Sequence, residues 1–323
     1  MGFRRFLGIT SLLASLMALL VCSPFSGDSA DDSTEGTGTD FTIMATTPMV
    51  ASWVNQVAGD RILVTSIIPY SMDPHSYQPA AKDIAQVTQA DYIFAVGLLY
   101  EDSWLNKLLD SHPNTTLIEL GEYIHPIKFE GQHRHGGAHD DEHEDAHDEG
   151  SYDPHFWFDP IRVSSAVGKI AKILSDLDPD GATYYAERAQ SYRQTLQELD
   201  DHIAAQIESI PEQRRKLISG HESLGYLGDR YDILILQAVI PNLSSETAPT
   251  PQDLAEAIEL VQEHNISVIF LEIETTGESA ERIAEETGAR LAEGLSVETL
   301  QEGQSYIDFM QYNLDVIVSN LIG

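Results

Sequence analysis

The chain has 323 residues and 42% hydrophobic content, enough for two packed lobes of about 100–150 residues each. It carries 18 Lys and Arg against 52 Asp and Glu, a formal net charge of −34. Nucleic acid and anionic lipid would be repelled by this charge, so neither is expected as a partner. With one cysteine, the chain has no internal disulfide and no multi-cysteine zinc site.

The N-terminus has the pattern of an export signal. Arg4 and Arg5 precede a short apolar run that ends just before Cys22, and residues 23–39 are polar and acidic, as in a flexible tether. We therefore predict a signal at residues 1–22 and an exported protein, periplasmic or on the cell surface. Two alternatives stay open: lipidation of Cys22 as in a lipoprotein, or an ordinary signal that is cleaved or retained.

The first part of the chain alternates between strand and helix patterns. Strands are predicted at residues 41–47, 62–68, 92–96 and 116–120, and helices at 49–58, 82–89 and 101–109. This alternation is typical of βαβ units and of a mainly parallel sheet.

The second part repeats the alternation after one long helix. Strands are predicted at residues 217–219, 233–239 and 267–274, and helices at 252–264, 279–287 and 306–321. The simplest fold class is α/β, with two parallel-sheet lobes at 40–178 and 211–323. They are joined by a rigid helix at 179–210, which at ~1.5 Å per residue would run for over ~40 Å.

Three histidines stand where predicted strands end. His75 and His155 each follow an Asp-Pro pair, and His221 follows a predicted strand and Gly220. Proline and glycine at such turns fix or relax the backbone, and this aims the next side chain. Because open α/β sheets bind ligands at the carboxyl ends of their strands, we expect these histidines to face one cleft.

The motifs around these histidines resemble the metal-specific solute-binding proteins of ABC importers, particularly the zinc-uptake type. The resemblance covers the chain after residue 40. Its most specific parts are Asp73-Pro74-His75-Ser76-Tyr77 and Asp153-Pro154-His155-Phe156-Trp157-Phe158-Asp159-Pro160. It implies two α/β lobes bridged by a long helix, one metal in the cleft between them, and delivery of that metal to a membrane permease. It does not imply an enzyme.

Carried over by position, the resemblance implies four metal ligands: His75, His155, His221 and Glu272. The fourth position stays open, because Glu274 would share a strand face with Glu272 and Glu222 adjoins His221, and a water would also serve. Asp73 and Asp153 are candidates to orient histidine rings, with turn capping as the alternative.

The ligand set favours Zn²⁺ as the bound ion. Nitrogen-rich four-coordinate sites suit Zn²⁺, whereas Mn²⁺ prefers more oxygen ligands. Manganese-type members of the family usually have a carboxylate at the third position, where this chain has His221. A manganese or iron receptor is the alternative within the family.

A second group of histidines lies in a loop predicted at residues 125–150. This segment is rich in histidine and acidic residues and is expected to be a mobile loop rather than part of a core. We predict accessory zinc binding there, with a solvated linker as the alternative. The candidate side chains are His133, His135, His139, His143 and His147.

Two other functions are open to a protein with such a site: a zinc hydrolase, and a zinc-buffering or adhesin-like protein. His143-Glu144-Asp145-Ala146-His147 matches the metalloprotease pattern His-Glu-x-x-His, but its acidic setting has no apolar face, so we interpret the match as chance. A zinc-buffering or adhesin-like lipoprotein would use the same fold without transport. We expect a monomer that contacts a membrane only through its signal or lipid anchor.

Overall fold

The computed structural model describes residues 41–110, 112–129, 152–236, 248–273 and 277–322. Cys22, Glu274 and the five accessory histidines lie outside these residues, so the predictions made for them stay predictions. Among the described residues, no helix combines the length and the apolar character needed to cross a bilayer.

The first lobe is a parallel four-stranded sheet. Its strands are β1 (Ile43–Ala45), β2 (Val64–Ser66), β3 (Tyr92–Ala95) and β4 (Thr116–Glu119), in the order β2-β1-β3-β4. Its helices are α1 (Pro48–Ala58), α2 (Ala81–Val87) and α3 (Leu105–Leu109). Ile43, Ile93 and Phe94 on the central strands are buried. As in other parallel sheets, the strands are apolar because helices and loops cover both faces.

The second lobe is also built on parallel strands. Its strands are β5 (Lys216–Leu217), β6 (Leu234–Ile235), β7 (Val268–Glu272) and β8 (Arg290–Leu295), paired β5 with β6 and β7 with β8. The Phe270 N–H donates to the Ile218 carbonyl at 3.2 Å and joins the two pairs. The helices are α6 (Gly225–Tyr231), α7 (Pro251–Glu263), α8 (Glu278–Thr287) and α9 (Tyr306–Ile322).

A long helix connects the lobes, as predicted. Helix α5 (Ala182–Glu208) has 27 residues and is therefore ~40 Å long. It packs along α4 (Pro160–Leu177) and also against α1 and α9. Its buried face carries large side chains, including Tyr185, Leu196 and Ile203. These contacts confirm the α/β fold class with one long helix, while the predicted residue boundaries of the lobes stay predictions.

A helix cap at Asp159 fixes the start of α4, just after the segment that contains His155. The Asp159 carboxylate accepts hydrogen bonds from the backbone N–H groups of Ile161 and Arg162, and Pro160 occupies the first turn of α4. Both features favour a helix start at this residue. Asp159 therefore anchors the short segment that begins with His155.

Helices α4 and α6 and strand β8 were not predicted from the sequence. Strand β8 has the sequence Arg-Leu-Ala-Glu-Gly-Leu, in which Gly294 and two charged residues obscure a strand pattern. Helix α4 contains Val163, Val167, Gly168 and Ile170, which have a lower helix propensity than alanine or leucine. The predicted strands are in the right places but are longer than the observed ones.

Candidate metal centre

Four side chains from both lobes converge on one point. The residues are His75, His155, His221 and Glu298, and one candidate ligand atom from each lies within 4.8 Å of the others. The four side chains are almost wholly buried, with His75 at 7% the most exposed. Three imidazoles and a carboxylate at this separation form a donor set able to hold one metal ion.

His75 reaches the cluster from the loop between β2 and α2. Its backbone N–H donates to the Asp73 carboxylate at 2.9 Å, which closes a local turn. Its Nε2 atom lies 3.5 Å from Oε1 of Glu298. The ring meets Tyr100 edge-on, with centroids 5.0 Å apart. Asp73 thus shapes the backbone that presents the imidazole.

His155 is fully buried in the cluster. Oδ1 of Asp153 accepts from its backbone N–H at 2.9 Å and lies 2.7 Å from its Nδ1 atom. Trp157 packs edge-on against the ring at 5.1 Å. With Nδ1 held by Asp153, Nε2 is directed toward Glu298, 3.3 Å away. The carboxylate therefore fixes the orientation of the ring, as is usual for metal-binding histidines.

His221 is held in the same way by Glu272. The Glu272 carboxylate lies 2.8 Å from Nδ1 of His221 and accepts from the backbone N–H groups of Gly220 and His221 at 2.9 and 3.2 Å. A Cβ atom on Gly220 would lie 2.6 Å from Oε2 of Glu272. Glycine at 220 thus permits the close approach of the carboxylate.

Glu298 supplies the fourth candidate donor. Its Oε1 atom is 2.7 Å from Nε2 of His221, and its Oε2 atom accepts from the Tyr100 hydroxyl at 2.6 Å. The segment is also tied down by the Trp157 indole N–H, which donates to the Val297 carbonyl at 2.9 Å. Glu298 thus faces all three imidazoles.

The electrostatics of the cluster follow from the three carboxylates, Glu298, Asp153 and Glu272, that contact its buried imidazoles. Burial acts to lower the pKa of His155, but the charges of Glu298 and Asp153 outweigh it and raise the pKa to about 9. For His221, Glu272 and Glu298 likewise outweigh burial and raise the pKa. Burial acts to raise the pKa of Glu298, but the imidazoles hold it well below its usual range. Without metal, the cluster therefore favours the ionised form of Glu298 and the protonated forms of His155 and His221.

The donor set fits a metal ion. The Nε2 atoms of His75 and His155 are buried and form no well-shaped hydrogen bond with any described residue. Buried polar atoms of this kind are costly unless something pairs with them. A divalent cation between the four side chains would bind these nitrogens in their deprotonated form and neutralise the Glu298 carboxylate.

The structure brings the three predicted histidines together but puts Glu272 behind His221 rather than among the four converging atoms. Within the described residues, Glu222 is not part of the cluster. Glu298 was missed because β8 was not predicted. Had that strand been recognised, a carboxylate three residues beyond its carboxyl end would have been a candidate.

The family model described as zinc-uptake complex component A, periplasmic (ZnuA), matches residues 43–320. The manganese-binding lipoprotein MntA of Halalkalibacterium halodurans is 27% identical over 312 residues, covering 95% of this chain and 97% of the relative. The high-affinity zinc uptake system protein ZnuA of Bacillus subtilis is 28% identical over 333 residues, covering 99% of each.

Solved structures share the fold. The periplasmic zinc-binding protein TroA from Treponema pallidum matches with a TM-score of 0.76 at 21% identity, over 88% of this chain and 99% of that one. A manganese-bound periplasmic metal-binding protein from Candidatus Liberibacter asiaticus matches with a TM-score of 0.75 at 24% identity, over 87% and 99%. The family match spans both lobes and the clustered residues. The chain therefore belongs to the zinc-uptake complex component A family, the metal-binding receptors of ABC transporters.

Proposed function

We propose that this protein captures Zn²⁺ outside the cytoplasm and delivers it to the membrane permease of an ABC transporter. The observation that carries the proposal is the convergence of three imidazoles and one carboxylate within 4.8 Å, in a buried cleft to which both lobes contribute. In this account the metal is the cargo of the protein, so the site must both hold it and release it.

The donor set supports zinc over manganese. Three nitrogen donors and one oxygen donor suit a tetrahedral Zn²⁺ site, whereas Mn²⁺ favours oxygen donors at higher coordination number. His221 is decisive, because a carboxylate there would make the site half oxygen. The zinc uptake protein of Bacillus subtilis, at 28% identity, is in keeping with this choice.

In the proposed site, Glu298 is the fourth ligand and Glu272 orients His221. One carboxylate oxygen of Glu298 is 2.7 Å from the Nε2 atom that would bind the metal. Glu272 instead contacts Nδ1 of the same ring, 2.8 Å away. Metal-bound histidines in general coordinate the metal through one ring nitrogen and donate the N–H of the other to a carboxylate. Here Nε2 would have the first role, and Nδ1, next to Glu272, the second.

A manganese receptor is the second candidate. The relative from Halalkalibacterium halodurans is named as manganese-binding and is 27% identical over nearly its whole length. Glu298 has two oxygens, and bidentate binding would raise the coordination number toward that preferred by Mn²⁺. The two candidates differ in ion preference, which is measurable.

The remaining parts of the proposal concern location and assembly. We propose an exported monomer, anchored by a lipid at Cys22, in line with relatives that are named as lipoproteins. We further propose that the histidines between residues 125 and 150 collect zinc near the cleft. A zinc-buffering role without a permease would leave the same site, and co-purification with a permease separates the two.

Metal competition on the purified chain tests the zinc proposal. Apo protein given less than one equivalent of metal should bind zinc in preference to manganese. Because the site would lose a ligand, changing His75, His155 or His221 to alanine should weaken zinc binding. His202, exposed on α5, provides a matched control as His202→Ala, which should bind like the wild type. Preference for manganese would replace the zinc proposal with the second candidate.

A further inference from the structure

The loop between β2 and α2, residues 67–80, carries His75 and is fastened to the segment that carries Glu298. The Ser71 backbone N–H donates to the Leu300 carbonyl at 3.0 Å, and its hydroxyl donates to Oε1 of Gln301 at 2.7 Å. We call these two hydrogen bonds the Ser71 clasp. The clasp thus links the loop that carries His75 to the segment that carries Glu298, although Ser71 and Gln301 are 230 positions apart in the sequence.

Ser71 adopts a backbone conformation that serine rarely uses. Its φ angle is +61°, in the left-handed region. Non-glycine residues are uncommon there and persist where surrounding contacts hold them. The two hydrogen bonds of the clasp are contacts of this kind, so the shape of the loop is tied to its attachment.

The clasp differs from the other bonds to the Glu298 segment in its exposure. Tyr100 and Trp157 bond to Glu298 and Val297 in the buried interior. The bond from Ser71 to Gln301 is exposed to solvent. Water replaces an exposed hydrogen bond at low cost, whereas a buried one leaves unpaired groups when it breaks. Of these attachments, the side-chain bond of the clasp is therefore the one that opens most easily.

The loop also has open space behind it. A cavity of about 430 Å³ lies between residues 75–79 and the side chains of Trp104, Lys107 and Leu108 at helix α3. Ile67, Ile68 and Tyr77 fasten the loop to the core, but the segment around His75 that faces the cavity lacks close packing on that side. His155, by contrast, is wholly buried and packs against Trp157. Of the three histidines, His75 has the most freedom to leave the cluster.

We propose that the loop of residues 67–80 is the gate through which the metal enters and leaves, and that Ser71 is the positioning residue that keeps the gate shut. This inference rests on the proposed function. It adds that the loop of residues 67–80 sets the rate at which the bound metal is released. Breaking the clasp frees His75, while Tyr100 still holds Glu298 and Asp153 still holds His155.

Release kinetics with Co²⁺ as a spectroscopic probe test the gate. The full chain is loaded with less than one equivalent of Co²⁺, and release to a chelator is followed by stopped flow. Ser71→Gly removes the hydroxyl and relaxes the backbone, and Gln301→Ala removes the acceptor. Each should accelerate release about two- to tenfold, the range for one hydrogen bond. The Co²⁺ absorption spectrum should not change, since the ligands are the same.

Further variants separate a gate from a general loss of stability. The double variant should release no faster than Ser71→Gly alone, because the bond that Gln301→Ala removes is already lost in that variant. Gln301→Glu keeps an acceptor oxygen and should release no faster than the wild type. Gln194→Ala, which removes an exposed glutamine bond to Glu198 on α5, is the matched control and should leave release unchanged.

Two results would overturn the gate: release rates that stay at the wild-type value in both single variants, or a changed Co²⁺ spectrum. The second would mean that Ser71 acts on the coordination itself. A wild-type chain that binds no stoichiometric metal would instead overturn the proposed function.

Discussion

The same tripeptide, Asp-Pro-His, occurs at residues 73–75 and 153–155 and builds the same turn in two different surroundings. In both, the aspartate Oδ1 atom accepts from the histidine backbone N–H at 2.9 Å. His155 is then enclosed by aromatic packing and followed by a capped helix, whereas His75 lies on an exposed loop backed by a cavity. The motif sets the local turn, and the packing around it sets how firmly the ligand is held.

This contrast suggests a division of labour in a receptor that must both retain and release its cargo. The His155 side supplies a rigid half of the site, and the His75 side supplies a half that opens. Rigid and opening parts require different local stabilities, and mobile elements come from the less densely packed parts of a fold. Two turns of identical sequence thus have different roles.

The largest expected effect is the loss of a histidine ligand. Structural zinc sites are worth about 10–16 kcal/mol, so one of four ligands accounts for about 3 kcal/mol, or ~100-fold in affinity. We expect His155→Ala to weaken Zn²⁺ binding by at least this much and His75→Ala by less, because the His75 loop can admit a water. Competition against a chelator of known affinity measures both. Equal losses of affinity in the two variants would contradict the proposed difference between the His155 and His75 sides of the site.

The second largest effect should be a difference in Zn²⁺ affinity between variants of the two supporting aspartates, Asp153 and Asp73. Asp153 contacts both the backbone and Nδ1 of His155, so Asp153→Asn should lower Zn²⁺ affinity about 10–100-fold. Asp73→Asn keeps an acceptor for the His75 N–H and should cost less. Isothermal titration of the two variants side by side measures the difference. A larger loss for Asp73→Asn would reverse the proposed roles.

Acidity should weaken binding over an unusually high range of pH. Metal and protons compete for the same imidazole nitrogens. Because the pKa of His155 is raised to about 9 in the metal-free protein, zinc must displace a proton at any pH below that value. Affinity should therefore rise about tenfold per pH unit for each proton displaced, up to about pH 9 rather than levelling near ~6.5. Competition titrations across this range measure the slope.

The Asp153→Asn variant sharpens the pH prediction. The Asp153 carboxylate is one of the charges that raise the pKa of His155, so its removal should move the upper end of the slope to lower pH. A slope that ends at the same pH in wild type and variant would show that Asp153 does not set the protonation of the ring.

The smallest expected effect is on the stability of the metal-free protein. His155 is fully buried between Asp153 and Glu298, and removing it takes the imidazole from the buried Asp153 carboxylate, while Glu298 keeps Tyr100 and His221. His155→Ala should therefore lower the free energy of unfolding by about 1 kcal/mol more than His75→Ala. Chemical denaturation of the apo variants measures this, and equal stabilities would contradict the difference in packing.

The histidines could be predicted from the sequence because their signals are local. Asp-Pro-His turns and a Gly-His pair at strand ends are visible in a few consecutive residues, and so are the strands and helices of the first lobe. Glu272 was predicted as the fourth ligand because the family resemblance, carried over by position, implies a ligand there. Its actual contact, with Nδ1 of His221, depends on the absence of a Cβ atom at Gly220.

Glu298 could not be found in this way. It follows a strand whose polar and glycine residues hide its pattern, and nothing near it in sequence marks it as a ligand. Its place is fixed by Tyr100, 198 positions away, and by His221. Contacts of this range arise from the packing of the two lobes, which a local pattern does not encode.

A crystal structure of the zinc-loaded protein, with the metal located by anomalous scattering, tests the central claim most directly. We predict one zinc ion bound by the Nε2 atoms of His75, His155 and His221 at about 2.0–2.1 Å and by Glu298 oxygen at about 2.0–2.2 Å. Glu272 should remain on Nδ1 of His221. Zinc bound by Glu272, or a cluster without zinc while the ion sits elsewhere, would contradict the account.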